Sequence, residues 1–371
     1  MAVRVLWLVK GLSIGGAERL LVAAAGVHDR AAFAIEAAYV VPAKDALVPD
    51  LEARGVRVTC LGGGPAGAWV PRLRRLVASG RFDVVHAHSP LLAGVARLAV
   101  RTLRPRPRMV TTEHNAWGTF ALPTRLLNGL TAPLDDATLA VSEEARASMW
   151  WPGARRRTQV VIHGVDLEAV RAAAGERDAT RAALGVEAGQ VVVLTVANYR
   201  AQKAWPVFLE AARLVLDRGL PVRFLAVGQG PLEADVAAEH ARLGLGDRVA
   251  LLGRRDDVPR LLGAADVFTL ASHYEGLPVA VMEALAAGVP VVATAVGGMP
   301  HAVGPDAGIL VPPGRPDALA AAVADLAGDA GRRARLAAGA RAAGQAFDVR
   351  RAVAAVEAVY RELAKNQTES P

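Results

Sequence analysis

The sequence predicts an α/β protein built from two doubly wound, Rossmann-like parallel-sheet domains that face a central cleft. Three observations predict this class: the length of 371 residues, the many short Val-rich runs, and the helical stretch that follows nearly every run. At roughly 100–200 residues per domain, the length corresponds to two domains, each large enough to bury its own core. Near-continuous apolar runs that alternate with helices indicate parallel strands covered on both faces.

The apolar runs form two consecutive series, one in each half of the chain. In the first half, strands are predicted at Val3–Val9, Phe33–Val41, Val56–Leu61, Val84–His88, Met109–His114 and Thr138–Ser142. In the second half, they are predicted at Val191–Ala197, Arg223–Gly228, Val249–Gly253, Val267–Ala271, Val289–Thr294 and Gly308–Val311. We place an N-terminal domain at 1–167 and a C-terminal domain at 168–348. The last stretch, 349–371, is a helix and tail that can pack on either domain, and we assign its helix to the N-terminal one.

The composition excludes several classes of protein. With 53% hydrophobic and 21% charged residues, the chain is not a disordered or solvating segment. A single cysteine, Cys60, excludes a disulfide scaffold and a cysteine-based zinc or iron–sulfur site within one chain. The net charge of +7 is carried by residues 1–168, which hold 21 Lys and Arg against 14 Asp and Glu. This asymmetry indicates either an anionic partner for the first half or a composition biased toward arginine.

Two apolar segments have the length or hydropathy of a targeting or membrane-spanning segment, and neither fits one. Met1–Val9 is interrupted by Arg4 and followed by Lys10, which indicates a buried strand rather than a signal peptide. The weakly charged stretch 275–301 is broken by prolines and glycines into a helix, a turn and a strand. We therefore expect a cytoplasmic protein, with peripheral contact to the inner face of the membrane left open.

Ligands of open parallel sheets bind beyond the carboxyl ends of the strands, so the loops there are the candidate sites. After the first strand, Gly15 and Gly16 open a helix where backbone N–H groups can approach an anion. The fingerprint Gly-x-Gly-x-x-Gly is absent, and a tight turn without a ligand is the alternative. In the second half, the loop 198–203 places Arg200 and Lys203 before a helix, where a phosphate would offset their conflict with the helix dipole. Solvated charges on an exposed turn are the alternative there.

The strongest local signal is a pair of glutamates eight residues apart. Glu275 follows a predicted strand, and Glu283 lies on the next helix, which is apolar on nearly all sides. A carboxylate in such a helix is costly unless it is paired or hydrogen-bonded. Hydroxyl groups of a ribose or hexose would satisfy Glu283, and Gly276 gives a ligand close access to main-chain N–H groups. A core Arg or His partner is the structural alternative.

Three histidines lie at the ends of predicted strands in the first half. His86 and His88 end one strand, and His114 ends another. Polar side chains at the carboxyl ends of adjacent strands are typical of the rim of a site. No carboxylate cluster accompanies them and Asp-x-Asp is absent, so we favour hydrogen bonding to a sugar or acceptor over a metal ion.

Taken together, the residues resemble the retaining, nucleotide-sugar-dependent glycosyltransferases of family GT4, which have the GT-B fold. The resemblance covers nearly the whole chain, and the order and spacing of its motifs make it specific. The motifs are Gly15-Gly16-Ala17-Glu18, Asp83-Val84-Val85-His86-Ala87-His88, Val141-Ser142-Glu143-Glu144, Gly164-Val165-Asp166, Lys203, Gly228-Gln229-Gly230-Pro231, Ala265-Asp266-Val267, the Glu-x7-Glu pair Glu275/Glu283, Gly288-Val289-Pro290-Val291-Val292-Ala293-Thr294 and Val296-Gly297-Gly298.

The resemblance implies that the C-terminal domain binds a nucleoside diphosphate sugar of the UDP or GDP type and that the N-terminal domain binds the acceptor. It implies no cofactor and no metal ion. The expected donor-binding residues are Gly16, Asn198, Arg200, Lys203, Arg254, Glu275, Gly276, Leu277 and Glu283. The expected acceptor-binding residues are His86, His88 and His114, and the expected catalytic residues are His114, Lys203 and Glu275. In this scheme Lys203 contacts the diphosphate, Glu275 the donor sugar and Glu283 the ribose.

Four residues depart from the family pattern. Asn198 stands where the family usually has a phosphate-binding arginine, and Arg200 is the nearby candidate to replace it. Ala204 replaces the glycine that commonly follows the lysine, His163 replaces an asparagine, and His301 replaces a glutamate. These changes bear on donor affinity and on protonation of the leaving group, and they leave the glutamate pair intact.

The expected function is metal-independent sugar transfer, with retained configuration, to a hydroxyl of a glycolipid, glycan or natural-product precursor. A catalytically impaired nucleotide-sugar-binding protein of the same fold is the alternative. The basic segment 69–76 and five further arginines fit an anionic membrane that carries a lipid-linked acceptor, and an ordinary basic surface helix is the alternative. Those five are Arg97, Arg101, Arg104, Arg106 and Arg108. Nucleic acid is not expected, because the arginines lack aromatic interleaving.

Overall fold

Two parallel β-sheets organise the chain, one in each of two units. The structure, a computed structural model, describes residues 2–13 and 15–368. Unit 1 comprises residues 1–164 and 349–371, and unit 2 comprises residues 165–348. The predicted α/β class with two parallel sheets is confirmed, with seven strands in unit 1 and six in unit 2 among the described residues. The first unit boundary falls after residue 164, three residues before the predicted boundary at 167.

Unit 1 is an open parallel sheet with helices on both faces. Its strands are β1 (Val3–Val9), β2 (Phe33–Tyr39), β3 (Arg57–Cys60), β4 (Val84–Ala87), β5 (Arg108–Glu113), β6 (Ala137–Ala140) and β7 (Gln159–Val160). The helices that connect and follow them are α1 (Gly16–Val27), α2 (Val48–Glu52), α3 (Trp69–Gly80), α4 (Pro90–Arg101), α5 (Leu122–Thr131), α6 (Glu143–Ala147) and α7 (Pro152–Arg157). The strand order is β3-β2-β1-β4-β5-β6-β7. The sequence did not predict β7, because a strand of two residues has no apolar run.

Unit 2 repeats this architecture with six parallel strands. They are β8 (Val191–Val196), β9 (Val222–Val227), β10 (Val249–Gly253), β11 (Val267–Leu270), β12 (Val291–Thr294) and β13 (Gly308–Val311). The helices are α8 (Leu167–Ala174), α9 (Arg177–Ala183), α10 (Trp205–Leu216), α11 (Glu233–Arg242), α12 (Val258–Ala264), α13 (Val279–Ala287), α14 (Met299–Ala302), α15 (Pro316–Gly328) and α16 (Ala330–Gly344). The strand order is β10-β9-β8-β11-β12-β13.

The strand order determines which loops meet at the carboxyl edge of each sheet. In unit 1, β1 pairs with β4, and in unit 2, β8 pairs with β11. At each of these positions the strand order reverses, and the loops that leave the two strands diverge and create a crevice. His86 lies near the end of β4, and His88 and His114 follow β4 and β5. Lys203 and Glu275 follow β8 and β11. Both groups of predicted site residues therefore lie at or beside a switch point of their own sheet.

The C-terminal helix α17 (Val349–Thr368) packs on the unit 1 sheet together with α1. Its Tyr360 is 1% exposed and belongs to the same hydrophobic cluster as Trp7 and Phe33. The indole N–H of Trp7 donates a hydrogen bond to the Tyr360 hydroxyl at 3.2 Å. Residues more than 350 positions apart in the chain are thus joined in one core, which places a tyrosine hydroxyl beneath the histidines that follow β4.

A buried ion pair lies under α4 and α5 in unit 1. Arg97 is 2% exposed, and its guanidinium donates to both carboxylate oxygens of Asp135 at 2.7 Å. The same guanidinium donates to the side-chain oxygens of Asn128 at 2.7 Å and Thr131 at 3.0 Å. Burial raises the pKa of Asp135, and the Arg97 charge opposes that rise. Arg97 therefore holds α4 to α5 and to the start of β6.

The prediction that five arginines of the first half lie on a membrane surface is wrong for Arg97, which is buried. Arg106 and Arg108 pair with Asp136 at 2.9 and 3.1 Å. Two arginines of the basic segment on α3 likewise donate to backbone carbonyl groups. Arg101 and Arg104 are exposed, as the expectation required. Separately, none of the helices described is long and apolar enough to cross a bilayer.

We expect Arg97→Met to lower the free energy of unfolding of unit 1 by about 3–5 kcal/mol, because it leaves the Asp135 carboxylate buried without a cation. The control is Arg101→Met on the exposed face of the same helix, which should change it by less than about 0.5 kcal/mol. Urea unfolding followed by tryptophan fluorescence measures both. Equal midpoints for the two variants would contradict a structural role for the buried pair.

Candidate functional site

The candidate site of unit 2 consists of two loops, one after β8 and one after β11. The first ends in a 3₁₀ turn at Ala201–Lys203, and the second spans residues 272–277. Two hydrogen bonds join them. The His273 backbone N–H donates to the Gln202 carbonyl at 2.8 Å, and the Gln202 side-chain amide donates to the Tyr274 carbonyl at 2.9 Å. The two loops therefore hold each other in one arrangement.

This arrangement brings two predicted catalytic residues into direct contact. Lys203 Nζ lies 2.5 Å from Glu275 Oε1, and the two side chains are only 16% and 6% exposed. The hydroxyl of the buried Ser272 donates to the same carboxylate oxygen at 2.6 Å. The Gln202 amide lies 3.3 Å from the other oxygen. A shielded pair with these extra hydrogen bonds is tightly oriented, since either charge alone would be costly to bury.

A glycine pair on the neighbouring loop makes room for the Glu275 segment. Gly297 has φ +55°, and a Cβ there would lie 1.9 Å from the Glu275 carbonyl oxygen. The backbone N–H of Gly298 donates to the Gly276 carbonyl at 2.7 Å. A side chain at residue 297 would therefore meet both steric and conformational barriers. The glycine pair therefore allows the 275–276 backbone to pack directly against residues 297 and 298.

Unpaired backbone donors lie beside the Lys203–Glu275 contact. The N–H groups of Gly276 and Leu277 donate no hydrogen bond within the described residues. They directly precede α13, whose first-turn N–H groups have no acceptor inside the helix. Donors of this kind at the positive end of a helix dipole favour an anion or a sugar oxygen.

The loop after β8 contains two of the departures from the family pattern, Asn198 and Ala204. Asn198 and Arg200 are both exposed, and the Asn198 carbonyl accepts from the Trp205 indole N–H at 3.0 Å. The Asn198 backbone therefore anchors the loop. Ala204 has φ 49° and ψ 48°, a left-handed conformation that favours glycine. The alanine therefore carries backbone strain directly beside Lys203.

The remaining predicted donor contacts lie on three separate elements. Glu283 is half-buried in the second turn of α13. Arg254 is exposed immediately after β10 and pairs with Asp256 at 3.2 Å. Gly16 is the exposed first residue of α1. Glu283, Arg254 and Gly16 are therefore positioned by three different elements of the chain.

An acidic side chain of the protein itself occupies the start of α1. The Glu18 carboxylate lies so close to Gly15 that a side chain at that glycine would collide with it. Burial raises the pKa of Glu18, while a backbone hydrogen bond and Lys44 oppose the rise. An anion that approaches Gly16 would therefore have to displace this carboxylate. The Gly-Gly sequence here accommodates Glu18.

Four histidines form a continuous stack at the carboxyl edge of the unit 1 sheet. The ring centroids of His86 and His88 are 4.1 Å apart, and those of His88 and His114 are 5.6 Å apart. His163, which follows β7, stacks on His114 with centroids 4.9 Å apart and an interplanar angle of 15°. The structure thus brings the three predicted histidines together and adds a fourth. We name these four residues the histidine stack.

The members of the histidine stack differ in how many of their ring nitrogens already have a hydrogen-bond partner. Both ring nitrogens of His86 are occupied, Nδ1 by the Tyr360 hydroxyl at 2.5 Å and Nε2 by the Thr112 hydroxyl at 2.7 Å. His114 lies between His88 and His163, with nitrogen–nitrogen distances of 3.3 Å on both sides. Only His88 retains a buried ring nitrogen, Nε2, without a partner in the part of the chain described.

Burial keeps the histidine stack neutral. It lowers the pKa of His86 to about 3 and that of His163 to about 4. Burial also lowers the pKa values of His88 and His114 well below their usual range, and the neighbouring imidazoles lower them further. A neutral imidazole has one N–H donor and one acceptor nitrogen. The stack therefore offers hydrogen-bonding groups for a hydroxyl and no positive charge.

A cavity of about 60 Å³ adjoins the stack beneath α1 and α17. Its walls are mostly apolar, with the four imidazoles at one end. No group of three or more His, Cys, Asp or Glu in residues 2–13 and 15–368 is arranged to hold a metal ion. The imidazole rings stack on one another instead of converging on a point.

Sequence reasoning did not assign three residues that build these sites. In the sequence, His163 stands out only as a departure from the family pattern, because the two-residue strand before it gives no apolar signal. Tyr360 lies in the last helix, and nothing in the sequence indicates that it meets His86. Ser272 is the first residue of the Glu275 loop, so the available signal is a small polar residue directly after an apolar strand.

Two family models match most of the chain. Residues 14–169 match the model described as Glycosyltransferase Family 4, and residues 190–329 match the model described as Glycosyl transferases group 1. The D-inositol 3-phosphate glycosyltransferase of Saccharomonospora viridis is 33% identical over 309 residues, which cover 76% of this chain and 70% of that protein. The putative glycosyltransferase EpsF of Bacillus subtilis is 27% identical over 303 residues, which cover 77% and 78% of the two chains.

Solved structures show the same fold. Anabaena HepE, in complex with UDP and glucose, matches with a TM-score of 0.85 and 23% identity over 97% of this chain and all of that chain. Sucrose-phosphate synthase from Thermosynechococcus elongatus matches with a TM-score of 0.81 and 22% identity over 97% of this chain and 99% of that chain. Both likenesses support the GT-B fold.

We expect Gly297→Ala to destabilise the protein more than an alanine substitution at another glycine with positive φ, because it also displaces the Glu275 loop. The control is Gly314→Ala, because Gly314 has φ +70° and open space where a Cβ would lie. Both variants incur left-handed strain of about 1–2 kcal/mol, and only Gly297→Ala also collides with the Glu275 carbonyl. Thermal unfolding should show a larger loss for Gly297→Ala. Equal losses would contradict a close approach at residue 297.

We expect the stability of unit 1 to fall as the pH falls from 6.5 to about 4. In this range the unfolded histidines take up protons, whereas the folded stack remains neutral because its pKa values are lowered. His163→Asn should reduce the slope of unfolding free energy against pH by up to about 1.4 kcal/mol per pH unit. Urea unfolding at pH 7, 6 and 5 measures the slope. The control is Ile162→Asn, at the exposed neighbouring residue, which should leave the slope of unfolding free energy against pH unchanged. An unchanged slope in His163→Asn would contradict the lowered pKa of His163.

Proposed function

The chain belongs to the GT-B glycosyltransferases that join a Family 4 domain to a group 1 domain, and from this premise we propose how it transfers a sugar. The donor is a nucleoside diphosphate sugar, and the acceptor is a hydroxyl group. The proposal adds that the anomeric configuration is retained and that no metal ion is required. Unit 2 holds the donor, and unit 1 holds the acceptor.

The contact between Lys203 and Glu275 is the observation that carries the donor assignment. An ammonium group and a carboxylate lie 2.5 Å apart, beside the unpaired N–H groups of Gly276 and Leu277. A diphosphate needs cations and N–H donors, and a sugar needs a fixed acceptor for its hydroxyl groups. In the proposal, Lys203 and the N–H groups contact the diphosphate. Glu275, which Ser272 already orients, accepts hydrogen bonds from the donor sugar.

The chemistry follows from which charge develops during transfer. The bond between the anomeric carbon and the diphosphate oxygen breaks, and the acceptor oxygen bonds to that carbon from the same side. The acceptor hydroxyl proton passes to an oxygen of the leaving diphosphate. Lys203 and the α13 N-terminus stabilise the negative charge that develops on the leaving group. In metal-dependent enzymes a divalent ion has this role.

The other donor contacts extend along the nucleotide. Arg200 is exposed and forms no ion pair among the described residues, so its guanidinium is available to a phosphate where the family arginine is replaced by Asn198. The half-buried Glu283 accepts from the ribose hydroxyls, and Arg254 lines the base. UDP is the first donor nucleotide to test, because HepE has been solved with UDP. GDP is the second.

The histidine stack is the proposed acceptor site. His88 Nε2 is the buried ring nitrogen without a partner, and His114 adjoins it in the stack. His86 is held by Tyr360 and Thr112, so its role is to position His88. Neutral imidazoles suit an acceptor that presents a hydroxyl group, such as a glycolipid, glycan or natural-product precursor.

The proposal is tested by incubating the protein with UDP- and GDP-sugars and a panel of hydroxyl acceptors, with release of free nucleoside diphosphate as the readout. We expect acceptor-dependent release. Lys203→Ala should lower turnover by roughly 100- to 1000-fold, as removal of one transition-state donor does in other enzymes. The matched control is Lys365→Ala near the end of α17, which should turn over at the wild-type rate.

Two results would count against the proposal. Full transferase activity in Lys203→Ala would exclude the diphosphate role of Lys203. Thermal stabilisation by a nucleotide sugar, without diphosphate release for any acceptor, would instead favour the catalytically impaired binding protein.

A further inference from the structure

One face of unit 1 concentrates exposed apolar side chains. Leucines and tryptophans of this size are rarely left in water in such numbers on one surface of a protein without a binding role. They lie on α4, on α5 and just before α7. The exposed residues are Leu91, Leu98, Leu122, Leu126, Leu130, Trp150 and Trp151. We name this set the leucine face.

Helix geometry makes the leucine face continuous. Leu122, Leu126 and Leu130 follow one another at intervals of four residues, so they lie along one side of α5. Their exposed fractions are 56%, 43% and 70%. The two helices touch closely, because a Cβ at Gly94 of α4 would lie 2.6 Å from Leu127 Cγ of α5. Their outer sides therefore adjoin each other.

The tryptophans are fixed at the end of α5. The Trp151 indole N–H donates to the Gly129 carbonyl at 2.8 Å. The Arg125 guanidinium lies 5.4 Å from the centroid of the Trp150 ring, a cation–π distance. Both indoles thus remain beside Leu130 with 40% and 47% of their surface exposed. Tryptophan is the residue most typical of the boundary between water and lipid.

The charges around the leucine face are mainly positive, and the exposed carboxylates of residues 89–165 are Glu143 and Glu144 on α6. Residues 89–134 contain a single acidic residue, Glu113, which is 1% exposed, and residues 145–165 contain none. Exposed arginines lie in the same segments, namely Arg101, Arg104, Arg155, Arg156 and Arg157. The surface therefore combines apolar side chains with guanidinium groups and has no exposed carboxylate in these segments.

We propose that the leucine face docks on an anionic lipid bilayer. The leucines and tryptophans enter the boundary between headgroups and acyl chains, and the arginines pair with lipid phosphates. A second copy of this chain fits less well, because in residues 89–165 five exposed arginines stand against two exposed glutamates, so two such faces would bring together more arginines than carboxylates. The proposal rests on this surface and not on the transferase site, so donor chemistry and docking can fail independently.

The test is flotation of the full-length protein with vesicles of phosphatidylcholine alone and of phosphatidylcholine with phosphatidylglycerol. We expect at least tenfold more bound protein on the anionic vesicles, with loss of that excess in 0.5–1 M salt, a range chosen to shorten the screening length to about 3–4 Å. Leu126→Asp/Leu130→Asp should lower binding to anionic vesicles at least tenfold. The matched control is Leu214→Asp, at a leucine of unit 2 that is 40% exposed, and it should bind as the wild type does.

Circular dichroism and a urea unfolding midpoint close to that of the wild type confirm that each variant is folded. A blue shift of tryptophan emission on anionic vesicles would support insertion of the two indoles. Equal binding to both vesicle types would overturn the proposal, as would wild-type binding by the double variant. A dimer in sedimentation equilibrium that the double variant abolishes, together with no vesicle binding, would also overturn it in favour of a second copy.

Discussion

The Lys203–Glu275 contact is the interaction on which the unit 2 site depends. It closes the junction between the loop after β8 and the loop after β11, two strands that adjoin only because the strand order reverses there. Gly297 admits the backbone of Glu275 to that junction, and Gln202 joins it to the lysine loop. The backbone N–H groups before α13 are presented as a result. The site is therefore a property of two loops held together and not of either loop alone.

The two units offer opposite chemistry at corresponding places. Unit 2 presents an ammonium group and N–H donors at the start of a helix, which suit a diphosphate. Unit 1 presents the histidine stack, in which burial removes the positive charge that imidazoles would otherwise carry. Tyr360 and Thr112 orient His86, so helix α17 contributes to the histidine stack although it is the last element of the chain. This difference is the physical basis for our proposal that unit 2 binds the charged donor and unit 1 the neutral acceptor hydroxyl.

The arginines that give the first half its surplus of positive charge occupy two kinds of environment. Some arginines are internal: Arg97 neutralises Asp135 under α4 and α5, and Arg106 and Arg108 share Asp136. These side chains connect strands and helices, so they contribute to stability and are not available to a partner. Others are exposed near the leucine face, where they outnumber the exposed carboxylates of Glu143 and Glu144. The net positive charge of the first half is therefore evidence for an anionic partner only to the extent that its arginines are exposed and not paired with carboxylates.

The sequence by itself determined the α/β class, the two parallel sheets, and the loops that carry Lys203, Glu275 and the three predicted histidines. It could do so because strands and turns leave local signals in apolar runs, glycines and helix starts. Tertiary structure alone decided that Lys203 touches Glu275, that His163 and Tyr360 join the histidines, and that Arg97 is buried. These are contacts between residues distant in the chain, and local periodicity has no information about which distant side chain will satisfy a buried polar group.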